Sequence, residues 1–382
     1  MLKKTTLAIA VMAAALSAEA AKEKNITLER LGTYETGIFD DGAAEIVSYD
    51  PMTQRVFVIN AADSIVELLD ISDPSKPVKV NSIDVAPDIE DAFPDSASGG
   101  INSVAVKNGI VAVAVENDDK QANGWAAFYD VYGSFLGAVE AGALPDMVTF
   151  TPNGQYALVA NEGEPSDDYA VDPEGSVTVI DLRKGFSNLP GMTSTADFSG
   201  FNDATLPEGM RAPRPFGATV AQDLEPEYIA TSHDSRTAWV VLQENNAVAE
   251  IDIRSATVTK LVGLGSKDHS QEENALDASN RDDKINIQPW PVNGLFMPDS
   301  IVAYRTRGKT YLVTANEGDG REYIYETESA CETPDGSPVY EFDDGECIVY
   351  LDEERIKDLS LEPTAFPDAA DLQEDKNLGR LK

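Results

Sequence analysis

From residue 26 onward, apolar and polar side chains alternate in short runs bounded by Gly, Pro, Asn and Asp, the two-residue period of strands. The runs recur as a unit. An acid or amide opens one strand, at Glu45, Asn102, Asp146, Glu227 and Asp299. A tight turn follows at 50–55, 107–109, 151–155, 232–236 and 305–309. A second, strongly apolar strand then runs through 56–60, 110–117, 156–162, 238–245 and 311–317. The third strand, at 65–71, 126–131, 176–182 and 247–253, carries Asp70, Asp130, Asp181 or Asp252 near its end, and 347–352 continues the series. A fourth is readable at 78–85, 135–140 and 258–264. Four antiparallel strands per repeat of roughly 40 residues make a propeller blade. The pattern therefore predicts an all-β protein, a β-propeller of four-stranded blades. Separate β-sandwiches would not repeat the same strand-end chemistry five times. Five blades are visible, the last incomplete, and 26–34 reads as an outer strand closing the ring from the N-terminus. Either five blades close, or the chain is a C-terminally truncated larger propeller; the polar stretch 375–382, which offers the closing strand no partner, favours the second reading.

The repeat also predicts where function sits. The long insertions, at 86–100, 117–124, 162–175, 200–224, 265–297 and 318–346, all fall in loops that open on one rim, while the turns of the opposite rim are short. Loops carry function on a rigid scaffold, so the decorated rim is the candidate face. Glu45, Asp146, Glu227 and Asp299 begin the channel-lining strands there, and Glu116, Glu162, Glu244 and Glu317 end the next ones. Carboxylates converging on a narrow funnel repel unless they bind cations or take up protons. Oxygen donors at irregular spacing suit calcium, which accepts six to eight oxygens in flexible geometry. Glu45, Asp146, Glu162, Glu227, Glu244, Asp299 and Glu317 are the candidate ligands; the alternative is that they bond backbone groups as staples between blades. Zinc is disfavoured, because His233 and His269 are the only histidines and no cysteine-rich ligand cluster exists.

Charge narrows the partners. Asp and Glu number 67 against 29 Lys and Arg, a formal charge of −38, with 42% hydrophobic residues. That apolar content supports a real core rather than disorder. The acid excess excludes nucleic acid and anionic membrane surfaces, both of which repel it. Residues 1–20 read as an export signal: Lys3 and Lys4 precede the apolar run 7–16, and Ala18-Glu19-Ala20 supplies small residues for cleavage after Ala20. The mature domain is then a single propeller over 21–382, secreted, periplasmic or on the cell surface. No later stretch is long and apolar enough for a membrane helix. In that compartment Cys331 and Cys347, the only cysteines, form a disulfide across a turn-rich loop, two isolated thiols being the alternative.

Several motifs resemble those of a known family. They are Gly37-Ile38-Phe39-Asp40-Asp41-Gly42-Ala43-Ala44-Glu45-Ile46-Val47, Ala160-Asn161-Glu162-Gly163-Glu164-Pro165-Ser166, Leu242-Gln243-Glu244-Asn245-Asn246-Ala247, and Thr314-Ala315-Asn316-Glu317-Gly318-Asp319-Gly320-Arg321-Glu322-Tyr323. Together they resemble choice-of-anchor I proteins, secreted bacterial propellers similar to mesenchyme-specific cell-surface glycoproteins and some atypical alkaline phosphatases. The resemblance implies a YVTN/WD40-like propeller and a surface or secreted role; phosphatase activity belongs to some relatives only. Such proteins continue past a segment like Asn377-Leu378-Gly379-Arg380-Leu381 into further blades, so a site built partly there would be incomplete.

Two function classes follow. One is a non-catalytic binding propeller with calcium at the carboxylate funnel, holding a small anionic ligand through the metal, or a surface protein or polysaccharide. The other is a calcium-dependent alkaline phosphatase-like phosphomonoesterase, in which Glu162 and Glu317 hold the metal and Arg321 contacts phosphate. The plainer expectation for Arg321 is an ion pair with Asp319 or Glu322. A quinone-dependent or sugar dehydrogenase fits the fold but lacks a His–Arg pair. His233 is expected in an exposed turn on the plain rim and His269 in a solvated loop.

Overall fold

The computed structural model describes residues 27–39, 42–189, 191–325, 341–343 and 346–382. Four four-stranded antiparallel meanders follow one another along the chain. The first comprises Val47–Asp50, Arg55–Asn60, Ile65–Asp70 and Val78–Asp84. The second comprises Ser98–Lys107, Ile110–Asn117, Asn123–Asp130 and Phe135–Ala143. The third comprises Pro145–Phe150, Tyr156–Asn161, Ser176–Asp181 and Thr193–Asp197, and the fourth Pro226–Thr231, Thr237–Leu242, Ala247–Asp252 and Thr257–Gly263. The fifth blade consists of Pro298–Thr306 paired with Lys309–Asn316. The first strands of consecutive blades pack side by side, as in a propeller. The fold is a β-propeller of four-stranded blades.

Strand periodicity explains the packing. Val111, Val113 and Val115 point into a cluster shared with the first blade, with Phe57, Ile59, Val66 and Leu68. The intervening Ala112 and Ala114 point the other way, toward Val148, Ala157 and Val159 of the third blade. Leu158 and Ala160 continue the stack toward Val240 and Leu242 of the fourth. Each middle blade is thus apolar on both faces, and each fully buried Val or Leu contributes about 1.5–3 kcal/mol. Small residues on one face and branched ones on the other set the spacing between sheets.

The outer elements depart from the sequence reading. Residues 27–39 form no strand, so the expected closing strand is absent among the described residues; residue 26 lies outside them. Glu346–Leu351 does not become the third strand of the fifth blade. It pairs with Glu322–Tyr325 and Glu341–Asp343 in a separate three-stranded sheet. Arg321, just before this sheet, is tied by a buried ion pair to Asp223 and Glu225, which precede the fourth blade, and holds the sheet there. Val302, Tyr304, Tyr311 and Val313 are consequently exposed on the open side of the fifth blade. The 265–297 insertion and the C-terminal stretch share a small core of their own, in which Trp290 and Ala278 meet Leu372 and Leu378. Cys347 is fully buried. Cys331 and the signal segment 1–20 lie outside the described residues, and with them the expected bridge and cleavage site.

Candidate functional site

The recurrent acids separate into two populations. Those ending the third strands close turns on the plain rim. Asp70 accepts from Ser72 N at 2.8 Å, Asp130 from Tyr132 N and Ser134 N at 2.8 and 2.9 Å, Asp181 from Arg183 N at 3.0 Å, and Asp252 from Ser255 N at 2.9 Å. These are Asx turns, in which a short carboxylate replaces a backbone acceptor and starts the turn into the fourth strand. The hydrogen bonds hold all four carboxyls below the usual range, at Asp130 against an opposing burial effect.

On the decorated rim the acids meet one another instead. Burial, then the charge of Asp299, raises Asp146. Burial, then Asp146, Glu164 and Glu227, raises Glu162 well above the carboxylate range. Burial, then Glu244, Asp146 and Asp299, raises Glu227. Glu244 is raised by burial and by Glu225, and its Oε2 is buried without a hydrogen-bond partner. Glu317, exposed, lies beside the group across the Gln243 amide, without a hydrogen bond to it in that amide's better-satisfied orientation. That amide lies 3.3 Å from Glu317 and, in its better-satisfied orientation, donates to Glu227 at 2.9 and 3.1 Å. The structure therefore gathers Asp146, Glu162, Glu227, Glu244, Asp299 and Glu317. It leaves Glu45 exposed beside Gly42 at the entry of the first blade. Glu116 accepts from Gly100 N at 2.9 Å within its own blade, so it does not staple two blades.

Two acids escaped the strand-end reading: Glu164, raised to about 7 by burial and by Glu225, and Glu225, raised by burial despite Arg321. The signal was present as Glu162-Gly163-Glu164 and Glu225-Pro226-Glu227, since alternate residues of an extended chain share a face. Local chemistry fixes both pairs. Gly163 takes φ +71°, and a side chain there would strike the backbone of Glu174 and Gly175 at 2.8 Å. On the other side, Thr219 and Gln222 form a capping box that starts a short helix, Val220–Asp223, whose end delivers Asp223 and Glu225.

Arg321 is the cation of this rim, 5% exposed. Its Nε donates to Glu225 at 2.9 Å and its Nη2 to the Asp223 carbonyl at 2.8 Å, while Nη1 lies 3.7 and 3.6 Å from the carboxylates of Asp223 and Asp352. It does not pair with Asp319 or Glu322, because the loop turns its side chain inward; Glu322 is met by Lys382 at 3.0 Å. Burial would lower its pKa, but Glu225, Glu244 and Asp223 outweigh that and hold it protonated. A second arginine, Arg211, lies 3.4 Å from Asp352. Aromatic rings pack at the same place: Tyr169 sits 4.9 Å from both Phe216 and Tyr323, ring centre to centre. Tyr169, Arg214 and Phe216 all hold left-handed backbone, φ 54°, 47° and 54°, a strain that surrounding packing must maintain. Arginine thus compensates Asp223, Glu225 and Asp352. No comparable ion pair reaches Asp146, Glu162, Glu227, Asp299 or Glu317 among the described residues. Nor do any three metal-binding side chains among those residues stand ready-made around one point.

A profile of the choice-of-anchor I domain matches residues 45–382. The chain belongs to the choice-of-anchor I family. Family membership supports an extracellular or surface location, and no helix among the described residues is long and apolar enough to cross a membrane. No curated protein matches the sequence. Solved propellers align only distantly. The β-propeller domain of Myceliophteria thermophila Cps50 (Swd1) is 8% identical, with TM-score 0.36, over 55% of this chain and 56% of that one. A chain of a nidogen/laminin complex is 10% identical, TM-score 0.35, over 59% and 65%. A KlHsv2 variant with one loop replaced by a Gly-Ser linker is 10% identical, TM-score 0.40, over 72% and 63%. The aligned part of this chain therefore spans less than two thirds of each of those chains. His233 is exposed in its turn, as expected, whereas His269 is half-buried rather than solvated.

Proposed function

We propose that this choice-of-anchor I chain is a secreted or surface binding propeller whose decorated rim takes up a divalent cation, calcium by its donor set. The observation that carries the reading is the imbalance on that rim: Glu162, Glu227 and Asp146 are raised by burial and by one another, with no arginine or lysine paired to them. Protons relieve this up to high pH, to about 10 at Glu227, and a cation relieves it by displacing those protons, more easily as pH rises. The donors are carboxylate oxygens, which fit calcium rather than zinc. Because no three of them are pre-assembled, the ion would draw side chains together, which suits the weak affinity, about 10⁻⁴–10⁻³ M, of extracellular calcium modules. Glu162, Glu227 and Asp146 are the first candidates to hold it, with Asp299 and Glu317 completing the shell from the fifth blade. Once bound, the ion would fix the loops and offer a positive centre to an anionic group on a small ligand, a surface protein or a polysaccharide. Arg321 lends no support to phosphoryl transfer, since its donors face Glu225, Asp223 and Asp352.

Calorimetric titration of calcium at pH 8 tests the reading, with Glu162→Gln and Glu227→Gln as variants. Each should bind about tenfold more weakly, about 1.4 kcal/mol in affinity. Absence of calcium binding in the parent, or unchanged binding in both variants, would overturn it.

A further inference from the structure

A cleft of about 630 Å³ opens between the 265–297 insertion and the residues that follow the three-stranded sheet, within the range of small-molecule sites. One wall is apolar, formed by Leu276, Val292, Leu295 and Leu359, of which Leu295 and Leu359 are 43% and 36% exposed. Behind it Trp290 anchors the insertion, its Nε1 donating to the Leu276 carbonyl at 3.1 Å. The lining also carries His269 and the exposed Glu354. His269 Nδ1 lies 2.7 Å from the Asn274 carbonyl oxygen, which can only accept. In the neutral ring Nδ1 therefore carries the proton and Nε2 is an acceptor. Nε2 borders Gly294, where a β-carbon would approach it to 2.7 Å, so glycine keeps the space beside that nitrogen open. The cations of the cleft are already engaged: Arg211 with Asp352, and Lys382 with Glu322 and Glu353. What remains on the lining, besides the apolar wall, are two acceptors, His269 Nε2 and the exposed Glu354 carboxylate, in a chain of charge −38.

We infer that this cleft binds a small amphipathic amine, its apolar body against Leu276 and Leu295 and its ammonium donating to His269 Nε2 and pairing with Glu354. The site is separate in composition from the carboxylate funnel and does not depend on a metal there.

The test is calorimetry at pH 8 in chelator with three matched probes, 2-phenylethylamine, 2-phenylethanol and 3-phenylpropionate. The amine should bind one-to-one and saturably, the alcohol more weakly, and the carboxylate not at all. Gly294→Val, which fills the space beside Nε2, should weaken amine binding by roughly tenfold. Glu354→Gln, at an exposed position that the fold does not rely on, should weaken it by about threefold. Equal binding of the three probes, no saturable binding of the amine, or amine affinity unchanged in either variant overturns the proposal.

Discussion

The plain rim and the decorated rim use the same residue types to opposite ends. On the plain rim each acid is an aspartate, half-buried or exposed, and satisfied by backbone donors a few residues on, so it is anionic and settled. On the decorated rim the acids, Glu162, Glu227 and Asp146 foremost, are raised by burial and by one another, and Arg321, the deeply buried cation among the described residues, serves a different subset. A carboxylate at a strand end has no fixed meaning. The donors within its reach decide whether it builds a turn or stores charge.

Removing the cation should break that division most severely. Arg321→Met leaves Glu225 and Asp223 buried without a cation, and Asp352 with Arg211 alone, and should cost about 3–5 kcal/mol in urea unfolding at pH 7. Unchanged stability would mean that the three-stranded sheet does not depend on this pair. A smaller effect of opposite sign is expected at Glu227→Gln. Relieving a carboxyl held high by burial and by Glu244 should stabilise the metal-free protein at pH 8 by about 1 kcal/mol. On the other rim, Asp130→Ala removes acceptors from Tyr132 N and Ser134 N and should cost about 1 kcal/mol, without altering calcium binding.

The pH dependence distinguishes the rims by sign. Plain-rim carboxyls are depressed in the folded state, so their contribution is present above the unfolded range near 4 and is lost as pH falls below it. Decorated-rim carboxyls are raised, so the folded state holds more protons; their contribution is present at low pH and is lost as pH rises through about 6 at Asp146 and Asp223 and about 7 at Glu164. Metal-free protein should therefore be most stable near about pH 5 in equilibrium unfolding. A stability that rose steadily to pH 8 in chelator would mean that the decorated-rim acids are compensated after all.

The architecture was legible because each blade is written twice, once as alternation and once as strand-end chemistry. Val111 to Val115 specify both neighbouring blades from a single run. The decorated rim was legible from loop length, and six of the seven acids chosen there do gather, with Glu45 left outside. What the sequence did not reveal depends on long-range pairing. Arg321 lies next to Glu322 in the chain, but its hydrogen-bond partners Glu225 and Asp223 are 96 and 98 residues away, and Glu346–Leu351 pairs with the strand that follows Arg321 rather than with the fifth blade. His269 looked like a loop residue, because its partner Asn274 belongs to the same insertion and its cleft is closed by the C-terminal stretch.

The central claim, that the decorated-rim acids are an uncompensated charge awaiting a cation, is tested most directly by urea unfolding at pH 8 with chelator and with about 10 mM calcium. For a dissociation constant of about 10⁻⁴–10⁻³ M, calcium should add about 1.4–2.7 kcal/mol. It should add far less at pH 5, where the ion must displace more protons and at a higher proton concentration, and little in a Glu162→Gln/Glu227→Gln double variant. Equal stability with calcium and with chelator at pH 8 would contradict the account.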